Sequence, residues 1–232
     1  MNHSRSLRRA AVAALSAAAV MLISQSNGLA AGKEKEIAAP AGAANVMSTS
    51  VAQVDGFRSA RFGMTEAETK TAIGKDFGLK GNDIKEQSNP GERTKVLMVK
   101  VPDVLPGGGV GEVSYVFGYK TKRLIQVSVS WSKTTDEKMT PEQLYSNSSM
   151  LRAHFLSEGF KPETIASNMP INGGLLVFRG SDAKGHTAML ILQGAMTTGK
   201  DNQHILTPTA LLLFYVEDAK APDIYRLPPG SF

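Results

Sequence analysis

The chain has 232 residues, of which 26 are basic and 21 acidic, so its formal net charge is +5. Arg5, Arg8 and Arg9 lie at the start of the chain; without them 23 basic residues face 21 acidic ones, and the balance falls to +2. The remaining Lys and Arg residues are scattered, which argues against a nucleic-acid or anionic-membrane partner. The absence of cysteine excludes disulfides, thiolate metal sites and cysteine nucleophiles.

The N-terminal residues have the pattern of a secretory signal peptide. The basic segment is followed by an apolar run over residues 10–23, which is too short to span a bilayer comfortably. Small residues near Ala30 and Ala31 predict processing after one of them. We therefore predict a signal peptide over residues 1–30 and an exported protein without a membrane span. An exported protein that lacks cysteine fits a bacterial periplasm better than a eukaryotic secretory route, where small domains rely on disulfides.

Residues 31–55 are rich in Ala, Gly, Ser, Lys and Glu and show no helical periodicity, which predicts a flexible linker. Order is expected from about Phe57. Thr65 and Glu68 then have the spacing of a reciprocal helix cap, in which each side chain bonds the other residue's amide. The spacing predicts a helix that ends near Phe77, before Gly78.

Strands are predicted over residues 95–101 and 113–119, with a glycine-rich stretch over residues 106–111 between them. A glycine run of this kind can hold a phosphate when a helix follows it. Here a strand follows, so the pattern predicts a mobile hairpin loop.

The clearest structural pattern lies between Ile125 and Trp131, where apolar side chains at every second position alternate with Gln126, Ser128 and Ser130. A period of two places the apolar side chains on one face of a strand and the polar ones on the other. The pattern predicts a central antiparallel strand over residues 123–131 with one solvated face.

A second helix is predicted from the sequence Met139 to Gln143, where Thr140 and Gln143 have the spacing of a second reciprocal cap and Pro141 takes the first helical position. Its buried stripe contains Leu144, Leu151 and Phe155, with Ser148 between them, and its end lies at Gly159. Three apolar strands over residues 174–179, 187–193 and 209–216 follow. Three prolines in residues 219–232 predict an irregular tail that docks on the fold.

Met64 and Met139 begin similar helix caps 75 residues apart, and a helix and strands follow each in the same order. This repetition predicts an α+β fold of two α-β-β-β repeats, over residues 56–136 and 137–218. The helices would cover one face of a continuous antiparallel sheet. Residues 219–232 form the docking tail.

The run from Gly56 to Glu68, with its Gly-Met-Thr-x-x-Glu helix start, resembles the opening of uncharacterised exported bacterial proteins. It is also similar to the tandem-repeat fold of the β-lactamase-inhibitor and outer-membrane-assembly lipoprotein type. The chain lacks the cysteines of both types, so neither inhibition nor membrane assembly carries over. The resemblance implies the fold and non-enzymatic protein binding in the periplasm.

Residues 194–201 follow a phosphate-loop pattern in which Asp201 replaces the Ser or Thr that would bind magnesium, and a strand follows the motif, so we predict a hairpin loop. His186 and His204 would approach each other near Asp201 only by strand pairing, because no histidine pair has ligand spacing. Ser181 and Asp182 fit a turn. We expect no catalytic residue, cofactor or metal.

The sequence predicts a binding or accessory protein that acts through protein contacts, with a small-molecule-binding protein or a hydrolytic enzyme as the alternative. The strands over residues 188–192 and 210–216 are apolar on both faces, so a further surface must cover one of them. The candidates are the C-terminal tail, a second copy of the chain and an unknown periplasmic protein. The predicted partner surface consists of Leu211, Leu213, Tyr215, Ile224, Tyr225, Leu227 and Phe232.

Overall fold

Two four-stranded meanders lie side by side in one antiparallel sheet in the computed structural model, which describes residues 51–198, 204–228 and 230–231. The predicted signal peptide over residues 1–30 and the predicted linker up to residue 50 lie outside the described residues. The described part has an α+β fold, as the sequence predicts.

The first half of the described chain begins with a two-residue hairpin, followed by a helix and four strands. These elements are β1 (Gly56–Phe57), β2 (Ala60–Arg61), α1 (Glu66–Phe77), β3 (Lys85–Asn89), β4 (Thr94–Val101), β5 (Gly111–Phe117) and β6 (Leu124–Ser132). The second half has a helix and four strands. These are α2 (Pro141–Ser157), β7 (Ala166–Ile171), β8 (Gly174–Ser181), β9 (Thr187–Thr198) and β10 (His204–Val216).

The order of strands in the large sheet is β3-β4-β5-β6-β10-β9-β8-β7, so β6 and β10 join the two halves. Both helices pack on the same face of the sheet. Ile73 of α1 and Phe155 of α2 belong to one buried apolar cluster together with Val127 of β6 and Leu213 of β10.

The predicted cap of α1 is present. The Thr65 hydroxyl accepts a hydrogen bond from the Glu68 amide, and the Glu68 carboxylate accepts one from the Thr65 amide. Gly78 ends the helix at φ 71°, a left-handed conformation that glycine adopts without steric cost.

The cap of α2 is only half formed. The Thr140 hydroxyl accepts a bond from the Gln143 amide at 3.2 Å, but the Gln143 side chain does not return the bond. Its amide nitrogen donates instead to the carbonyl of Gly107 and to the side chain of Asn147. The predicted reciprocal cap is therefore wrong, because Gln143 is used to hold the glycine-rich loop.

Four charged side chains fix α1 above the outer strands of the first half. Lys70 of α1 and Lys95 of β4 each lie 2.6–2.8 Å from carboxylate oxygens of both Glu66 and Glu86. Hydrogen bonds from Lys70 and then Lys95 lower the pKa of Glu86 to about 2. The alternating charges link α1, β3 and β4 at a half-exposed position.

A bulge at the start of β6 changes the face of the sheet on which its side chains lie. Val116 of β5 pairs with Gln126 and Phe117 with Leu124, so Ile125 is the extra residue. Leu124 therefore enters the apolar cluster beneath the helices, and Ile125 is not part of it. The prediction that Ile125 shares a face with Val127 is wrong, because a bulge interrupts the period of two.

The predicted solvated face of β6 is also wrong for two residues. Gln126 and Ser128 are buried, and Ser128 is only 6% exposed. Ser128 lies between Ser114 of β5 and Phe214 of β10, and the latter is itself buried. A small side chain beside a large aromatic one is shielded from water, which the pattern of one strand does not reveal.

The sequence pattern misses the two outermost strands, β3 and β7. Their side chains are mostly exposed or half-buried, so they lack the apolar alternation used to recognise strands. Each predicted helix is thus followed by four strands where three were predicted.

The ordered fold begins earlier than predicted. Ala52 and Val54 are buried, although they belong to the predicted flexible linker of residues 31–55. The amide of Ala52 donates to the carbonyl of Gly159 at 3.3 Å, which attaches this segment to the end of α2.

The burial of both faces of β6 predicts how charge at its centre affects stability. Val127→Asp and Ser128→Asp should each lower the free energy of unfolding by about 3 kcal/mol or more, because each buries a charge without a partner. Urea denaturation measures both values. Ser128→Ala, which removes the hydroxyl without adding charge, is the matched control and should stay close to the parent. A tolerated Ser128→Asp would contradict the burial of this face.

Candidate functional site: a cleft above the central strands

The floor of the candidate site is formed by β6 and β10. Val129 of β6 pairs with Leu213 of β10, while Trp131 and Tyr215 each lie two residues further along their strands. Side chains two positions apart share a face, so all four lie on the side that carries the helices. Trp131 is the single tryptophan of the chain and is 1% exposed.

Helix α2 forms one wall of the cleft. Leu151 and Phe155 are buried, and the Phe155 ring stacks on Phe178 of β8 with 5.2 Å between centroids. Met150 and His154 also line the cleft, four residues apart and therefore on one flank of the helix. Met150 is 49% exposed, so the rim of this wall is accessible.

The β1–β2 hairpin forms the facing wall. The Phe57 ring stacks on Tyr215 with 5.6 Å between centroids. Arg58 follows at φ 51°, which is uncommon for a residue with a side chain. Its guanidinium donates to the carbonyl of Val104 at 3.1 Å and lies 4.7 Å from the centroid of Phe77. These contacts hold Arg58 at the rim.

The loop between β4 and β5 completes the cleft, and it is held in place. Asn147 of α2 donates a hydrogen bond to the carbonyl of Gly108 at 2.8 Å. A Cβ on Gly111 would lie 2.5 Å from Val104 and 3.2 Å from the indole nitrogen of Trp131, so only glycine permits this approach. The loop predicted to be mobile is therefore fastened to α2 and packed against the floor.

The cleft consists of two adjoining cavities with different linings. The apolar cavity has a volume of about 340 Å³. Its lining is Phe57, Val104, Leu105, Val129, Trp131, Met150, Leu151, His154, Leu213 and Tyr215. The polar cavity has a volume of about 460 Å³. Besides Phe57, His154 and Tyr215, which line both, its lining includes Gln53, Asp55, Arg58, Arg61 and Glu158.

The polar cavity has two cationic groups without an acidic partner. Within the described ranges, neither Arg58 nor Arg61 has a carboxylate oxygen within 4.0 Å. The two carboxylates of the cavity lie close to other side chains. Asp55 lies 2.9 Å from Lys184, whose hydrogen bond lowers the pKa of Asp55, and Glu158 lies 3.4 Å from the ring of His154.

Tyr215 connects the two cavities. Burial raises the pKa of its phenol, and the negative charge of Glu158 acts in the same direction. The hydroxyl is therefore protonated across the physiological range and can donate a hydrogen bond to a ligand.

A second cluster, formed by Asp55, Asp182 and His186, lies beside the polar cavity. The Asp182 carboxylate is 7% exposed and accepts bonds from the amides of Val54, Lys184 and His186 at 2.9–3.0 Å. The predicted role of Asp182 in a turn is confirmed.

The ring of His186 contributes to the same attachment. Its Nδ1 lies 2.8 Å from the carbonyl of Val54 and 3.6 Å from Asp182. The cluster thus binds both polar groups of the Val54 backbone and fixes residues 52–55 as part of the cleft wall. Asp201, which we considered together with His186, lies outside the described residues, and of His204 only its place in β10 is described.

The predicted partner surface is divided among three places. Leu211 is buried in the core, whereas Leu213 and Tyr215 form the floor of the cleft. Ile224 and Tyr225 are half-buried in the tail, and Leu227 is 57% exposed there. Phe232 lies outside the described residues. Of the predicted surface residues that the structure describes, Leu213 and Tyr215 alone line the cleft.

The prediction that the tail covers the apolar strands of the second half is wrong, because the tail docks on the first half. The carboxylate of Asp223 accepts bonds from the amides of Lys120 and Thr121 at 2.8–3.2 Å, beyond the end of β5. The amide of Tyr225 donates to the carbonyl of Glu92 at 2.9 Å. Hydrogen bonds with polar groups of the loops hold the tail in this position. The apolar residues of the tail do not by themselves predict where it docks.

The residues that matter most for the cleft were not among the predicted site residues. These residues are the adjacent pair Phe57 and Arg58 together with Val104, Trp131 and His154. The pair and the other three residues are far apart in the sequence and meet only through the packing of the fold. No local spacing identifies them. The adjacent pair of an aromatic residue and an arginine before α1 is the single local signal at this site.

Compared with models of protein families, with curated proteins and with solved structures, the chain gives no match. Among the residues that the structure describes, no helix is long and apolar enough to cross a membrane.

The attachment of residues 52–55 predicts the effect of removing Asp182. Asp182→Ala should lower the free energy of unfolding by about 1–3 kcal/mol, because it leaves buried amides without an acceptor. It should also increase hydrogen exchange at the amide of Val54. Asp218→Ala is the control, since Asp218 accepts two amides in an exposed turn. Equal effects of the two substitutions would contradict the attachment.

Proposed function

We propose that this chain is an exported, non-enzymatic binding protein whose ligand occupies the cleft above β6 and β10. The observation that carries the proposal is the combination of one apolar and one polar cavity above the central strands. Both volumes lie in the range of small-molecule sites, about 300–1,000 Å³. The rigid sheet below and the fastened loop at the side support binding without large rearrangement.

The polar groups of the cleft are suited to holding a ligand. Tyr215 is kept protonated, and Arg58 and Arg61 are permanent cations. His154 and Glu158 pair one helical turn apart, with about half of each side chain exposed. A nucleophile needs an adjacent base held by a third group, and these residues are not arranged in that way.

Export to the periplasm is part of the proposal. It is supported by the basic and apolar segments at the N-terminus and by the absence of cysteine. The resemblance to exported tandem-repeat proteins supports the same compartment.

We also propose that the two halves are copies of one helix and four-strand unit. Corresponding elements begin at similar offsets. The offset is 75 residues from Glu66 to Pro141, 81 from Lys85 to Ala166, 80 from Thr94 to Gly174, 76 from Gly111 to Thr187 and 80 from Leu124 to His204. The mirrored strand order about the β6–β10 junction supports a duplication.

A second candidate is binding of a protein through the outer surface of α2, including self-association. Tyr145 and Leu156 expose 43% and 44% of their surface there. Apolar side chains exposed on one helix are a common feature of protein contacts. This candidate retains the protein contacts predicted from the sequence, and it differs from the first in the residues it requires.

The export proposal predicts processing of the N-terminus in a bacterial host. The periplasmic fraction should contain a shortened protein whose mass fits cleavage after Ala30 or Ala31. Ala18→Arg, which places a charge in the apolar run, should leave the full-length protein in the cytoplasm. An unprocessed cytoplasmic parent would contradict export.

The binding proposal predicts different effects of two substitutions on α2. Protein isolated from the periplasm should carry a small ligand in native mass spectrometry. Met150→Arg should remove it, because the new side chain occupies the rim of the cleft. Leu156→Arg is the matched control, since Leu156 is similarly exposed on the same helix but does not line the cleft, and should keep the ligand. A protein partner lost only with Leu156→Arg would favour the second candidate.

A further inference from the structure

We infer that the cleft binds a single-chain amphiphile with one carboxylate, that is, a fatty acid. Its carboxylate lies at Arg58 and Arg61 and its alkyl chain extends toward Trp131 and Leu213. This inference rests on the proposed function, because it names the ligand class of the same cleft. Three features of the described residues support it. Two arginines have no acidic partner, two carboxylates in the polar cavity limit the negative charge that a ligand can carry there, and the floor formed by β6 and β10 is apolar.

The free cations define the position of the head group. Arg58 donates to the carbonyl of Val104, and Arg61 donates to the carbonyls of Arg58 and Ala60. A guanidinium has five N–H donors, so both keep donors for a ligand. Because neither is paired with a carboxylate among the residues described, an anionic group of the ligand completes the charge balance.

The carboxylates of the same cavity limit the charge of that group. Asp55 and Glu158 line the polar cavity beside the two arginines. A phosphate monoester carries nearly two negative charges at neutral pH and would be repelled more strongly than a carboxylate. A group with one negative charge therefore fits best, and a carboxylate accepts two parallel bonds from a guanidinium.

The apolar cavity fits an alkyl chain better than a peptide. Its floor is made of β6 and β10, and each of these strands already pairs with neighbours on both sides. The central floor therefore offers no free strand edge for the donors and acceptors of a peptide backbone. An alkyl chain needs no such partners and gains by leaving water.

The two ends of the cleft set the orientation of the ligand. Phe57, His154 and Tyr215 line both cavities, so they surround the place where the ligand passes from one to the other. Tyr215 lines both cavities, and its protonated phenol offers a hydrogen-bond donor near the place where they meet. The terminal methyl group then lies in the cavity lined by Trp131.

Fluorescence of Trp131 tests both binding and orientation, because the chain has no other tryptophan. The probe is dodecanoic acid with a bromine either on its last carbon or next to the carboxylate, since bromine quenches indole fluorescence at short range. The acid brominated at its far end should quench Trp131 strongly at saturation, and the other acid much less. Equal quenching, or stronger quenching by bromine beside the carboxylate, would overturn the orientation.

The head group is tested with ligands that share the same chain. Dodecanoate should displace the brominated probe, whereas dodecylamine and dodecanol should need concentrations at least tenfold higher. Equal displacement by either, or tighter binding of a dodecyl phosphate, would overturn the carboxylate assignment. If none of these ligands binds, while native mass spectrometry still finds another ligand in the cleft, the inference fails and the proposed function stands.

Substitutions at the arginines complete the test. Arg58→Gln and Arg61→Gln should each weaken dodecanoate binding roughly tenfold, the effect of losing one charged hydrogen bond. Arg226→Gln, an exposed arginine of the tail, is the control and should bind as the parent does. Arg58→Lys keeps the charge and should recover part of the affinity. Unchanged affinity in both glutamine variants, with urea denaturation showing that they are folded, would overturn the inference.

Discussion

The pairing of β6 with β10 is the interaction on which the rest of the structure depends. Seven residue pairs, from Gln126 with Val216 to Ser132 with Ala210, join two meanders that otherwise have separate outer edges. Each meander alone would leave one edge of β6 or of β10 without a partner strand, and such an edge is an open template for pairing with other chains. The junction removes both edges at once, and its helix-facing residues become the floor of the cleft. Stability and the candidate site therefore have the same origin.

The walls of the cleft depend on contacts between distant segments. The loop between β4 and β5 approaches the floor because Gly111 has no side chain, and Asn147 of α2 holds that loop by one backbone carbonyl. On the other side, Asp182 of the β8–β9 turn binds the Val54 amide and so fixes the segment before β1. Hydrogen bonds to backbone groups thus position the apolar side chains that form the walls of the cleft. A rigid site of this kind loses little conformational entropy when a ligand binds.

Local signals in the sequence predict the helices well. The cap formed by Thr65 and Glu68 and the stop at Gly78 depend on neighbouring residues only, so they can be recognised without the fold. The apolar strands are also predicted in order. The side of the sheet on which each side chain lies is harder to predict, because the bulge at Ile125 and the shielding of Ser128 by Phe214 depend on the neighbouring strands. The cleft could not be predicted at all, since Phe57, Trp131 and Tyr215 meet only when the halves pair.

The central claim is that the chain binds a fatty acid on the helix-bearing face of the β6–β10 junction. Methyl-resolved NMR tests this most directly, because methyl groups report from both faces of the sheet. On addition of dodecanoate, the account predicts shifts at Val129, Leu151 and Leu213, which line the cleft. Methyl groups of Ile191 and Val216, which are buried outside the cluster beneath the helices, should be unaffected. Shifts confined to Ile191 and Val216, or none at all, would contradict the account.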